Sequence, residues 1–196
     1  MSVSGTLKRG LFHLFGVLAI AVTGLFLSRT TLLISLGVAT FIVVAFELVR
    51  LKAPGVNRWF LSVFKPLLRE EEASRFTGTS YSLIASLIAF LVFPRDIAVL
   101  ALIFLAVGDA MATIVGKRIG KTRFLGKTLE GSLVCLISCI IVGLIGYYAG
   151  LDIALLTILA GSLGATIAEA MPLPINDNLT LPLFAGLVMA AVQYVL

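Results

Sequence analysis

The sequence predicts an all-α polytopic integral membrane helix bundle, with about seven transmembrane helices and one interfacial amphipathic helix. Three observations carry this reading. Hydrophobic residues make up 60% of the 196 positions and charged residues only 13%, with a mean hydropathy of +1.12. Soluble domains do not reach such values. The apolar residues also fall in runs near bilayer-spanning length, separated by short polar loops. Finally, the basic residues concentrate in alternate loops, as cytoplasmic segments do. The length fits a single transmembrane domain over 1–196, with little left for a soluble one.

The predicted spans are 10–27, 30–49, 79–94, 96–115, 129–149, 152–171 and 179–196. Lys8 and Arg9 precede the first run, but it is long enough to span and no A-x-A-like site follows, so it reads as a helix and not a cleaved signal. The third and last spans are short, which suggests tilting, kinking or a partly re-entrant path. Between the second and third lies 50–78. There Trp59, Phe60, Val63, Phe64, Leu67 and Leu68 recur at helical spacing opposite Arg58, Lys65 and Arg69, the pattern of a helix lying in the interface. Pro172 and Pro174 end the sixth helix. Cys135 and Cys139 lie four apart in one apolar run and read as small packing residues, since one distant histidine completes no metal signature. Gly146-x3-Gly150 is a small-x3-small pattern that packs helices within a chain or in a homo-oligomer.

With the N-terminus inside, every Lys and Arg except Arg29 and Arg95 faces the cytoplasm. The C-terminus then lies outside, and the polar residues near the membrane converge on the cytoplasmic side of what reads as a prokaryotic inner-membrane protein. The net charge of +5 belongs to these loops and not to a nucleic-acid surface.

The stretch from Gly108 to Gly131 is the most unusual. Asp109 is a carboxylate in an apolar helix, which is costly and marks function. About two turns on, roughly 10 Å along the axis, comes a basic loop punctuated by Gly116, Gly120 and Gly126. Lys117, Arg118, Lys121 and Lys127 offer charge to phosphate, and the glycines permit turns that expose N–H groups. Gly126-Lys127-Thr128 resembles the end of a Walker A sequence, but the glycine spacing is wrong and no strand precedes it, which excludes a P-loop fold. Lys127 remains a point charge for phosphate and Thr128 a helix N-cap or phosphate ligand. Glu130 would bind Mg²⁺ or fix Lys127. Asp177 and Asn178 open the last helix, as its N-cap or as part of the site. Asp109 with Asp177 would hold Mg²⁺ carried by a nucleotide, since Mg²⁺ shares carboxylates with phosphates. Glu47, Arg50, Asn57, Arg75, Thr77 and Ser80 form a further polar group. There the i,i+3 spacing lets Glu47 and Arg50 pair along one helix face, the arginines would hold phosphate, and the 75–81 run would cap the third helix. His13 would act on an alcohol, and Glu169 lies late in the sixth span.

Gly108-Asp109-Ala110, Gly116, Gly120, Lys127-Thr128-x-Glu130-Gly131 and the late Glu169, Asp177-Asn178 and Pro182 resemble the polyprenol kinase family of dolichol, phytol and CTP-dependent diacylglycerol kinases. Lys8-Arg9-x3-His13-x2-Gly16, Glu47-x2-Arg50 and Arg75-Phe-Thr-Gly-Thr-Ser fit the same family. The resemblance implies transfer of a nucleoside triphosphate γ-phosphate, usually from CTP, to a lipid alcohol with Mg²⁺. The Lys-Thr-x-Glu-Gly element is also similar to CDP-diacylglycerol synthase, which transfers a cytidylyl group. That enzyme's long C-terminal signature has no counterpart here, so the kinase reading leads. A small transporter would place its polar residues near mid-membrane with access from both sides, whereas here they cluster inside.

Overall fold

A computed structural model describes residues 3–124, 127–172 and 174–196. Helix α1 spans Val3–Phe26, α2 Arg29–Lys52 and α3 Pro54–Phe64, followed by 3₁₀ turns at Lys65–Leu67 and Glu70–Ala73. Helix α4 is Gly78–Val92. Helix α5, Arg95–Ile103, runs through a π-helical turn at Phe104–Asp109 into α6, Ala110–Ile119. A hairpin of two-residue strands follows, β1 Arg123–Phe124 and β2 Lys127–Thr128, paired antiparallel. Helices α7 Leu129–Tyr148, α8 Leu155–Ala170 and α9 Asp177–Val195 complete the described chain.

Five helical stretches are long and apolar enough to cross a membrane: Arg9–Phe26, Arg29–Lys52, Arg95–Ile119, Leu129–Tyr148 and Asp177–Val195. Gly78–Val92 and Leu155–Ala170 are apolar but shorter. All seven predicted spans therefore exist as helices. The short ones are the third and the sixth, not the third and the last. The last gains its length at its start, where Asn176 accepts from the Asn178 N–H and caps the helix. Neither Asp177 nor Asn178 is that cap, and both are left free for other partners. The predicted amphipathic helix also stops earlier than its periodicity suggests. Pro66 has no N–H to give the Ser62 carbonyl, so α3 ends at Phe64 and the chain tightens into a 3₁₀ turn at Lys65. Phe60 and Leu68 turn inward while Trp59 and Val63 stay exposed.

Helix α5 forms the centre, with every residue from Ile97 to Leu102 buried. Around it stand α1, α4, α7 and α9. The core is rich in small side chains such as Ala85, Ala89, Ala98, Ala101 and Ala185, whereas Phe15, Phe26, Phe41 and Ile145 point outward. This is the membrane pattern: lipid tails are as apolar as leucine, so close backbone approach holds helices together. The small-x3-small pair serves the turn after α7 and does not bring two described helices together. A Cβ at Gly146 would stand 2.8 Å from Leu151 Cδ1, and Gly150 makes the turn at φ 98°.

Candidate active site

A cavity of about 640 Å³ opens between α1, α2, α3, α4 and α6. Its lining combines apolar side chains, Leu11, Val43, Phe46, Phe60, Phe64 and Leu68 among them, with the polar groups of Arg9, His13, Arg69, Asp109, Lys117 and Asn178. Asp109 ends the π-helical turn. Such turns are rare and frequent at functional sites. Glu47, Glu72 and Asp109 are the lining carboxylates. Glu47 and Glu72 are fully engaged, while Asp109 has no hydrogen-bond or ion-pair partner among the described residues. Arg9, Lys117 and Arg118 likewise have no carboxylate in ion-pair range among the described residues. An unclaimed carboxylate thus faces several unclaimed cations, all opening onto one apolar chamber.

One wall of the chamber is held by Arg50. Its guanidinium is fully buried; it donates to Glu47 Oε2 through Nε at 3.0 Å and Nη2 at 2.6 Å, and to Asn57 Oδ1 at 2.9 Å. It also donates to the carbonyls of Glu72 and Arg75, and lies 4.7 Å from the Phe60 ring centroid. The other Glu47 oxygen accepts from the Thr77 hydroxyl at 2.8 Å, and Thr77 meets Ser80 at 3.3 Å. Asn57 ties down the Ala73 carbonyl. Glu72 accepts from the backbone N–H of Arg69 and, at 2.6 Å, of Gly78. Glu72 therefore holds the start of α4; Thr77 stands at the N-cap position but spends its hydroxyl on Glu47. These bonds tie residues 69–78 to α2 and α3.

A second cluster lies beside the first. Lys127 on β2 sits 2.9 Å from Asp177 Oδ2 and 3.1 Å from Glu169 Oε1. The second Glu169 oxygen accepts from the Ser132 hydroxyl at 3.0 Å. Burial works against the Lys127 charge, but Asp177, through its charge and its hydrogen bond, with Glu169 and then Asp109, holds the ammonium above the ordinary lysine value. Thr128 caps α7 by accepting from the Gly131 N–H, and Glu130 accepts from the Thr122 N–H with both oxygens. Glu130 does not fix Lys127; it braces the hairpin.

No family model matches the chain, and no solved structure does. Individual proteins do. A CTP-dependent diacylglycerol kinase of Schizosaccharomyces pombe is 31% identical over 156 residues, covering 71% of each chain. A probable chloroplastic phytol kinase of Triticum aestivum is 31% identical over 207 residues, covering 95% of this chain and 67% of its own. The chain belongs to the polyprenol kinase family of membrane lipid kinases. An uncharacterised protein of Rickettsia prowazekii is 25% identical over 195 residues, 96% of this chain and 95% of its own.

In this lipid kinase the residues singled out by sequence divide into two groups. Asp109, Lys117, Arg118, His13, Asn178, Glu47 and Thr77 line the cavity. Lys127, Asp177 and Glu169 form the adjoining cluster. Gly116 and Gly120 pack against Thr128: a Cβ at Gly116 would stand 2.7 Å from its Oγ1. Gly108 is buried against Cys139 and Cys135 on α7, so it serves helix packing and not the cavity. Arg50 is walled in and reaches no phosphate, and Arg75 contributes its carbonyl. Lys121 is exposed and lies outside the cavity lining. Gly126 lies outside the described residues. Sequence reasoning met Arg9 only within the basic-His motif of the family resemblance and assigned no part in the site to Arg69 and Glu72. Glu72 sits in the run Glu70-Glu71-Glu72, where nothing local separates the buried carboxylate from its exposed neighbours.

Proposed function

We propose that this chain is a CTP-dependent lipid-alcohol kinase, transferring the γ-phosphate to the hydroxyl of a polyprenol, a phytol-like isoprenoid or a diacylglycerol. The observation that carries the reading is a cavity lined at once by apolar side chains and by an Asp109 and cations that have no ion-pair partner among the described residues. The S. pombe relative is named for CTP and diacylglycerol, and the wheat relative for phytol. A single domain over 1–196, cytoplasmic at its N-terminus and active site, in a prokaryotic inner membrane, fits the distribution of basic residues.

The residues fit a nucleotide accompanied by Mg²⁺. Asp109 offers a hard carboxylate with both oxygens unclaimed among the described residues, whereas Asp177 has one oxygen committed to Lys127. No cluster of three His, Cys, Asp or Glu side chains forms among the described residues. Mg²⁺ commonly needs no such cage, because phosphates and water complete its shell. When bound, the ion neutralises charge on the β- and γ-phosphates. Arg9, Lys117 and Arg118 supply fixed positive charge to the same oxygens, which is most of what phosphoryl transfer asks of a protein. The apolar chamber takes the lipid chain, and the hydroxyl meets the γ-phosphate beside His13 and Asp109. Lys127 fastens the hairpin that follows α6.

The test supplies purified protein with lipid alcohols and γ-labelled CTP, UTP or ATP in parallel. Label passing from CTP to an alcohol is the expected result. Transfer from ATP alone would overturn the nucleotide assignment. Label reaching lipid only from α-labelled CTP would mean a cytidylyltransferase.

A further inference from the structure

The cavity holds one histidine, and its hydrogen bonds dictate which ring nitrogen is free. Asn178 Nδ2 donates to the Gly78 carbonyl at 3.0 Å. A carbonyl only accepts, so the amide orientation follows, and Asn178 Oδ1 faces His13 Nε2 at 2.9 Å. An amide oxygen also only accepts, so Nε2 carries the proton. A neutral His13 then has its lone pair on Nδ1, which has no partner among the described residues. Asn178 is itself held rigidly. Its N–H is taken by Asn176 at 3.0 Å, and Gly78 leaves room for the amide, since a Cβ there would stand 2.5 Å from Nδ2.

The rival bases are closed. Glu47 and Glu72 each have both oxygens engaged, and Glu130 lies outside the cavity lining, where it accepts from the Thr122 N–H. Asp109 is the ligand the nucleotide's metal needs.

We propose that His13 is the base that receives the proton of the lipid hydroxyl at Nδ1, and that Asn178 is the positioning residue that leaves Nδ1 available. The inference rests on the kinase reading. As the alcohol oxygen bonds to the γ-phosphorus, its proton passes to Nδ1. The bond from that phosphorus to the β–γ bridging oxygen breaks, and the nucleoside diphosphate leaves with the electron pair. The resulting imidazolium keeps its Nε2–H on Asn178 Oδ1 and later releases the Nδ1 proton to water. Asn178 thus acts through the ring, holding its tautomer and angle.

His13 is the single histidine of the chain, so full-length protein in liposomes, labelled with ¹⁵N at histidine Nδ1 only, gives one signal that needs no assignment. At about pH 8, where an ordinary imidazole is neutral, the expected signal is that of an unprotonated ring nitrogen. In parallel, His13→Ala should lower kcat by about 10²-fold or more with the KM for CTP unchanged. Asn178→Leu should lower kcat about tenfold, and Asn178→Asp, which keeps the acceptor, should recover most of that loss. A protonated Nδ1 in a wild type that transfers phosphate overturns the base role alone. So does a His13→Ala variant with full kcat. A wild type that transfers no phosphate overturns the kinase reading and the base role with it, whatever the spectrum. Should Asn178→Leu fail to fold, the wild-type spectrum and His13→Ala still decide.

Discussion

Replacing Arg50 with methionine removes a cation from the most enclosed polar network in the molecule. The side chain that remains buried is Glu47, 2% exposed and left with Thr77 as its partner. Four further acceptors are disturbed: one Asn57 oxygen, the carbonyls of Glu72 and Arg75, and the face of Phe60. Breaking one side of a buried ion pair costs about 3–5 kcal/mol, much of it the penalty of the stranded charge. For a chain of this size each kcal/mol moves the melting midpoint by about 2–4 °C, so Arg50→Met should melt about 6–20 °C below wild type in detergent. Glu47→Gln should cost less, because an amide is easier to bury than a carboxylate. The double variant should recover part of the loss, with a coupling of about 2 kcal/mol between neighbours in one network. Melting curves and activity are measured on all four proteins. A shift under 2 °C for Arg50→Met, or simple additivity, would refute the claim that this pair anchors residues 69–78 beside the cavity.

The Lys127 value is raised by its carboxylates, so its contribution is complete below the ordinary lysine value of about 10.4 and is lost as pH climbs through the raised one. Tryptic cleavage at Arg123 should therefore stay slow from neutral to mildly alkaline pH and accelerate only above that range; acceleration near neutrality would contradict the ion-pair assignment. Gly116→Ala should push Thr128 away, since its Cβ would meet Oγ1 at 2.7 Å, lowering both melting temperature and activity, whereas Lys121→Ala, outside the cavity lining, should change stability by no more than about 0.5 kcal/mol, the usual range for surface changes, and leave activity at the wild-type level. Val43→Phe narrows the apolar chamber and should raise KM for long-chain alcohols about tenfold while sparing KM for the nucleotide, the mark of lost lipid binding alone.

Much of this was legible before the structure. Hydropathy located every span because a bilayer demands helices of set length, and Asp109 stood out because few forces other than function keep a carboxylate in an apolar helix. The hairpin at 123–128 was not legible, since two residues per strand carry no periodicity. Pairings across the chain were harder still. Lys127 meets Asp177 and Glu169, not the nearby Glu130, and no spacing rule foretells which distant helix end a loop will reach. His13 and Asn178 are 165 residues apart and come together only because α1, α4 and α9 share an end. Glu72 was hidden by its acidic neighbours. Asp177 was separated from its expected capping role by Asn176, an equally good cap one residue earlier.

The central claim is that the γ-phosphate meets the lipid hydroxyl beside Asp109. It is tested most directly by following γ-label from CTP into lipid alcohol with wild type and Asp109→Asn, reconstituted side by side in liposomes. Asp109 makes no contact among the described residues that asparagine would break, so the variant should fold and melt like wild type while transfer falls by at least ~10²-fold, the scale on which one preorganised electrostatic group acts. A folded Asp109→Asn protein that transfers label at the wild-type rate would contradict the account.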